Sequence, residues 1–341
     1  MTALVGMSAP KAEWDARLAE VGPIEARRVF LDDFTDKDIA LVPSEAAAGR
    51  TVVLSFKTGA STWAQVANGQ RDADAKAAFA TLQGYGVPVY VTAHHEPIAS
   101  QSNPLVGDKG SAAEYAGMLD HLAAVAAGYS VVRWGSIFNG YAFSTGPMGL
   151  SDDVIGQWLP VALQMNLDFV AADTYQTDKD TVLARMQGFV AWAQRVGYSG
   201  RLGIGEFGTY DGAALTAAIG YAQGTGLFDF LLAFNSNVNN RDGRSWQLTG
   251  DRLTAFQQAV LEAKAAPAPP DPADQIAQLQ AQVADLTAQL EQSQTERSAL
   301  TTQLAQATAD LAAAQAATAV VKADRDALAA KISTALHDLG A

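Results

Sequence analysis

Along the first 264 residues, short runs rich in Val, Ile, Leu and Phe alternate with longer stretches whose apolar positions recur every three or four residues. The first pattern marks buried strands and the second marks amphipathic helices. The strands it predicts are Leu4–Ser8, Ala26–Leu31, Thr51–Phe56, Pro88–Ala93, Val131–Ser136, Phe169–Asp173, Leu202–Gly205 and Phe228–Phe234. Between and after them it predicts helices over Lys11–Glu20, Asp72–Tyr85, Ala112–Ala127, Thr181–Val196, Gly212–Gln223 and Arg252–Lys264. Eight strands of this kind in roughly 250 residues make the inventory of a (β/α)₈ barrel. The competing architecture is a doubly wound open sheet. It would want a glycine-rich turn after the first strand, and the segment from Met7 to Pro10 is not one.

Near Ala265 the pattern changes. Residues 265–273 are rich in proline and predict an extended, semi-rigid linker. From 274 to 341 a seven-residue repeat takes over. One seam runs through Ile276, Val283, Leu290, Arg297, Leu304, Leu311, Thr318, Arg325, Ile332 and Leu339. The other runs through Leu279, Leu286, Ser293, Leu300, Ala307, Ala314, Val321, Leu328 and Ala335. Such a/d spacing predicts a coiled-coil stalk, because a helix this long cannot bury its own stripe and needs a partner. Ile and Val at a with Leu at d favour a dimer, and the mixed seam leaves a trimer open. A single solvated Ala-rich helix is the plainer alternative. The expected layout is thus a barrel over 1–264, a linker over 265–273 and an oligomerisation stalk over 274–341.

Composition narrows the chemistry. The chain has no cysteine, which removes disulfides, thiolate zinc sites and thiol catalysis together. Four histidines make a polyhistidine metal site a poor expectation, and no cofactor is implied. A formal net charge of −13 without a basic run argues against a nucleic-acid partner. No run of about 18 apolar residues predicts a membrane span, and the N-terminal segment does not read as a secretory signal.

In a barrel of this kind the reactive side chains stand at the C-terminal ends of the strands. Read in order, those ends carry Asp32 and Asp33, Lys57, His94-His95-Glu96, Asn139, Asp173 with Tyr175, Glu206 and Asn235. Glu96 and Glu206 follow strands four and seven, which lie nearly opposite across the barrel. Two carboxylates so placed suit glycoside hydrolysis, in which one acid protonates the leaving oxygen and the other attacks the anomeric carbon. Trp63, Trp134 and Trp246 are candidate sugar platforms, with core packing the alternative, most of all for Trp134. One histidine of the pair is expected to be packed against a backbone carbonyl. A metal site from His94, His95, Glu96 and Asp173 is a further alternative.

The segments Val91-Thr-Ala-His-His-Glu-Pro97 and Ile204-Gly-Glu-Phe-Gly208 resemble the acid/base and nucleophile strands of the glycosidase clan with paired glutamates on strands four and seven. A histidine directly before the strand-four glutamate is similar to family 26, which contains the β-mannanases. Arg28-Val-Phe30 and Leu54-Ser-Phe-Lys57 also resemble family 26-type segments of bacteriophage and actinobacterial proteins. The resemblance covers about residues 1–263. It implies Glu96 as general acid/base, Glu206 as nucleophile, His95 as a positioning partner and Tyr175 as the group that orients Glu206. Their strand-end positions make Lys57, Asn139 and Asp173 substrate-binding candidates, and Trp246 is one as a sugar platform. Family members present an aromatic platform at the end of strand eight, where this chain has Phe234-Asn-Ser-Asn237, with Trp246 further along.

The stalk then shapes the functional expectation. A multimeric viral fibre or tail component needs one, and a free polysaccharide hydrolase seldom does. The expectation is a bacteriophage minor tail or receptor-binding protein, part of the virion and assembled in the host cytoplasm. Its barrel would be a retaining glycosidase-like head acting on cell-surface or cell-wall polysaccharide. Its partners would be that polysaccharide, further copies of itself and other tail proteins. The alternative is a non-catalytic carbohydrate-binding or structural barrel on the same stalk.

Overall fold

A computed structural model of the chain describes residues 2–146, 148–237, 244–265 and 272–338. By its internal contacts the chain divides into two units, Met1–Ala266 and Pro267–Ala341.

The first unit is an eight-stranded, all-parallel closed barrel in the order β1 to β8. Its strands are β1 (Leu4–Ser8), β2 (Ala26–Leu31), β3 (Thr51–Phe56), β4 (Val89–Ala93), β5 (Val132–Asn139), β6 (Phe169–Tyr175), β7 (Arg201–Gly208) and β8 (Phe228–Phe234). Helices cover it in chain order: α1 (Trp14–Val21), α2 (Val42–Ala47), α3 (Trp63–Ala67), α4 (Asp72–Tyr85), α5 (Ala112–Ala126), α6 (Asp152–Trp158), α7 (Val161–Gln164), α8 (Val182–Val196), α9 (Gly212–Thr225) and α10 (Gly250–Ala265). The second unit contributes α11 (Pro272–Asp338).

The period-2 pattern divides each strand between two cores. Ala26, Val53, Ile137, Phe169, Ala171, Phe230 and Leu232 fill the barrel interior. A larger apolar shell lies between the strands and the helices. Local signals start the helices as the sequence suggests. Ser111 caps α5 and forms a reciprocal box with Glu114, while Thr181 and Asp211 cap α8 and α9 by accepting from the third backbone N–H of each.

Several boundaries differ from expectation. Helix α1 begins at Trp14, three residues after Lys11. Strands β5, β6 and β7 continue to Asn139, Tyr175 and Gly208, so the polar residues taken for loop starts still carry ladder hydrogen bonds. The seven-residue register of β6 on β7 slips once. Ala172 faces Ile204, and Asp173 then faces Glu206, leaving Gly205 as a bulge. That extra residue resets the alternation. Ile204 packs in the outer shell, yet Glu206, two positions on, points inward.

The expected linker of 265–273 meets a helix at either end. Ala265 closes α10, and Pro272 and Ala273 open α11, where proline at a first helical position loses no hydrogen bond. The rest of the linker lies outside the described residues. Along α11 the seam residues Leu300, Leu304, Leu311, Val321, Leu328 and Ile332 stand exposed. No described helix is long and apolar enough to cross a membrane.

Candidate active site

The C-terminal ends of the strands enclose a cavity of about 790 Å³. Its lining includes Lys57, His95, Glu96, Asn139, Asp173, Tyr175, Glu206 and Trp246, but not Asp32, Asp33, His94, Asn235, Trp63 or Trp134. The geometry gives them distinct tasks.

Glu206 is the most tightly held. The Ser8 hydroxyl donates to its Oε1 at 3.0 Å, and the Tyr175 phenol donates to its Oε2 at 2.5 Å. Ser8 ends β1 and Tyr175 ends β6, so two strands flanking the barrel mouth fix the direction of one carboxylate. Burial pushes the Tyr175 phenol far up, and the charges of Glu206 and Asp173 push it the same way, so it stays a donor. Trp246 packs on the Tyr175 ring with centroids 5.0 Å apart.

Beneath them lies an ion pair shut off from solvent. Arg28 Nη1 meets Asp173 Oδ1 at 2.6 Å, and both side chains are 0% exposed. Arg28 Nε and Nη2 also donate to Ser55 Oγ, at 3.3 and 3.0 Å. Burial pushes the Asp173 carboxyl well up against the pull of Arg28, with Glu206 and Glu96 adding to the rise. Gly205 makes this arrangement possible, because a Cβ there would stand 2.4 Å from Asp173 Oδ1 and 2.8 Å from Arg28 Nη1.

Glu96 is presented differently. It is exposed, and it sits on a turn in which His94 (φ 57°) and Glu96 (φ 52°) both adopt the left-handed conformation. Two backbone bonds hold the turn: His94 N–H to Phe56 O at 2.6 Å, and Glu96 N–H to Ile137 O at 3.0 Å. His95, between them, packs its ring on Phe30 at 5.2 Å. Burial keeps the His95 imidazole well below the usual histidine range, and the Arg28 charge adds to the effect, so the ring is neutral at physiological pH. Tyr141 shares the cavity, and its phenol is pushed up to about 12 by burial and then by the charge of Glu96.

Several expectations need correction. His94 does not bond a backbone carbonyl. Its Nε2 meets Asp108 at 2.7 Å, because the turn aims it at the β4–α5 loop. With His94 drawn to Asp108 and Asp173 to Arg28, the proposed four-residue metal cluster does not converge. Among the described residues no group of three or more His, Asp or Glu is placed to hold a metal ion. Trp63 and Trp134 are core residues. Trp63 lies wholly buried among His94, Tyr115 and Trp158, and Trp134 donates from Nε1 to Leu119 O at 3.1 Å. Trp246 lies parallel to Tyr210 at 5.7 Å and is only 4% exposed, too little for a ring face to receive a sugar.

Asn139 lines the cavity but turns its amide to the backbone of Ile98, accepting at 2.9 Å and donating at 3.4 Å. Asn235 likewise accepts from Leu248 N–H at 2.9 Å and secures the segment that carries Trp246. Asp33 serves Thr35 and Arg71. The residues the sequence reading left without a role are Ser8, Arg28 and Tyr141. Arg28 had a legible signal, a charge at an inward position of an apolar strand. Ser8 had none.

No protein-family model matches the chain, and no curated protein does. Solved structures do. The family 26 glycoside hydrolase domain of an endo-β-mannanase/endo-β-glucanase from Prevotella bryantii superposes with a TM-score of 0.53 at 13% identity, covering 76% of this chain and 88% of that one. A fungal β-1,4-galactanase gives 0.54 at 12% identity, over 76% and 100%. A β-mannanase from a symbiotic protist of the termite Reticulitermes speratus, solved with a gluco-manno-oligosaccharide, gives 0.51 at 13%, over 76% and 86%. The barrel therefore has the fold of (β/α)₈ glycoside hydrolases. At such identities the likeness is one of fold.

Proposed function

We propose that the barrel is a retaining glycoside hydrolase. The observation that carries this reading is the placement of Glu96 and Glu206 on one cavity, with Glu206 pinned by Ser8 and Tyr175. In the first step Glu206 attacks the anomeric carbon, the glycosidic C–O bond breaks, and Glu96 gives its proton to the departing oxygen. In the second, Glu96 takes a proton from water, whose oxygen displaces Glu206 from the sugar. Arg28 and Asp173 hold the floor beneath the nucleophile, and neutral His95 positions the acid turn. The mannanases and the galactanase that share the fold point to a polysaccharide substrate.

The setting we propose is a bacteriophage minor tail or receptor-binding protein, carried in the virion and acting on host cell-surface or cell-wall polysaccharide. The heptad seam of α11 supports it, since a stalk that joins two or three copies, or docks on other tail proteins, suits a fibre.

Reducing-end release from purified host cell-wall glycan tests the enzyme reading. The wild type should release ends and Glu206→Ala should not. Equal signals, or none from either, would sink hydrolysis. Glycan binding that persists in Glu206→Ala would then favour the non-catalytic alternative.

A further inference from the structure

Glu96 borders a second chamber. This space, about 590 Å³, opens between the ends of β2, β3 and β4, and Glu96, His95 and Lys57 line both it and the main cavity. Glu206 lines only the main one. The acid thus stands on the divide. Under the reading of Glu96 as proton donor and Glu206 as nucleophile, on which this inference rests, the attacked ring occupies the main cavity. The group beyond the protonated oxygen extends past Glu96 into the second chamber.

The chamber's chemistry is unusual for this chain. The protein carries 36 acidic against 23 basic residues, and many cations of the barrel have a carboxylate partner, as in Lys11–Asp38, Arg27–Glu45, Arg185–Asp180 and Arg201–Asp229. Lys57 and Lys109, both on the chamber wall, form no ion pair among the described residues. Lys109 Nζ gives one hydrogen bond to Gly59 O at 3.1 Å and keeps further donors. Of the acids on the same wall, Asp108 keeps its charge, hydrogen-bonded to His94 with its side chain 58% exposed, and Glu96 must hold its proton to act. Asp32 remains, on the β2 side. Burial holds the His94 imidazole below its usual range against the pull of Asp108, and the Lys109 and Lys57 charges add to the lowering. No aromatic ring lines this space apart from the two imidazoles, so it offers nothing for the apolar face of a neutral sugar to stack on.

We propose that the chamber is the leaving-group subsite and that it takes a sugar unit bearing an anionic substituent, carboxylate or phosphate, received by Lys57 and Lys109. The substrate class is then an acidic polysaccharide, cleaved on the non-reducing side of its charged unit.

The test is a calorimetric titration of the full-length Glu206→Gln protein with matched oligosaccharides. The pairs are β-1,4-mannohexaose against the β-1,4-mannuronate hexamer, and cellohexaose against its uronate counterpart. A 6-phosphorylated manno-oligosaccharide forms the phosphate arm. The acidic member of at least one pair should bind at least about tenfold tighter than the neutral one. That advantage should vanish when Lys57→Gln and Lys109→Gln are added, and should survive Lys264→Gln, a charge loss in the last turn of α10. Without these substitutions it should still shrink as salt rises from about 20 to about 300 mM, which keeps the test valid even if the double lysine variant does not fold. Tighter binding of the uronates identifies a carboxylate, and of the phosphorylated chain a phosphate. Equal or tighter binding of the neutral members overturns the proposal, as does an advantage that outlives both lysines, or no binding by any probe. Because the readout is binding, its failure is separate from a failure to release reducing ends.

Discussion

Removing Arg28 should cost the barrel more than removing any surface charge. In Arg28→Met, Asp173 keeps its place with 0% exposure and loses the guanidinium 2.6 Å away, while Ser55 loses both of its donors. Breaking a buried pair from one side costs about 3–5 kcal/mol, because the remaining charge stays desolvated. For a domain of this size each kcal/mol lowers the melting temperature by about 2–4 °C, so the expected drop is roughly 6–20 °C. Replacing both members, Arg28→Met with Asp173→Leu, should restore much of it, giving a coupling of at least about 2 kcal/mol in the double-mutant cycle. The pH dependence has a fixed sign. Burial and the charges of Glu206 and Glu96 already raise the Asp173 carboxyl above its unfolded value of about 3.9 against the pull of Arg28, and losing Arg28 raises it further. The folded state then holds a proton that the unfolded state gives up, so stability falls as pH rises above about 4. Urea midpoints at about pH 4, 5.5 and 7 should show the deficit of Arg28→Met growing with pH. A deficit below about 1 kcal/mol, one that grows on acidification, or a double variant as weak as the summed singles would refute the reasoning.

Three further outcomes can be checked directly. Tyr175→Phe deletes the O–H that donates to Glu206 at 2.5 Å. A hydrogen bond to a charged group is worth about 1.5–3 kcal/mol, so kcat on the hydrolysed glycan should fall roughly 10–100-fold with the fold intact by circular dichroism. Gly205→Ala places a Cβ against both members of the buried pair and should lower stability by about 2 kcal/mol or more in thermal melts. Truncation before residue 266 should leave a folded barrel that sediments as a monomer, while the full chain sediments as a dimer or trimer. A monomer in both would reject the stalk.

The sequence carried the fold well and the site in part. The ends of β1, β2, β3 and β8 were legible to the residue, because each is a short, mostly apolar run bounded by polar or turn-forming residues. The C-terminal ends of β5, β6 and β7 were not. Asn139 and Glu206 are polar, and polar residues read as loop, yet here they continue a ladder and line a cavity. The bulge at Gly205 cannot be seen from periodicity, since strict alternation from Ile204 also brings Glu206 to the apolar outer face. Arg28 shows the reverse case. A cation in an apolar strand demands a buried partner, but which acid supplies it depends on a contact 145 residues away.

The backbone of the strand-four turn completes that account and makes a prediction of its own. Glu96 carries φ 52°, a conformation that costs an L-residue about 1–2 kcal/mol over the right-handed one. Pro97 disfavours the right-handed alternative for the residue before it, and the bonds from His94 N–H to Phe56 and from Glu96 N–H to Ile137 fix the turn from β3 and β5. Glu96→Ala and Glu96→Gly both remove the carboxylate, so their difference reports the backbone alone. At an ordinary position glycine is less stable than alanine by about 0.5–1 kcal/mol. Here the order should invert, with Glu96→Gly the more stable by about 1 kcal/mol, because only alanine retains the left-handed strain. Equal or reversed urea midpoints would mean that the turn relaxes when the acid is lost. Inversion would show that β3 and β5 hold Glu96 out at the divide between the two chambers, whether or not a substrate is bound.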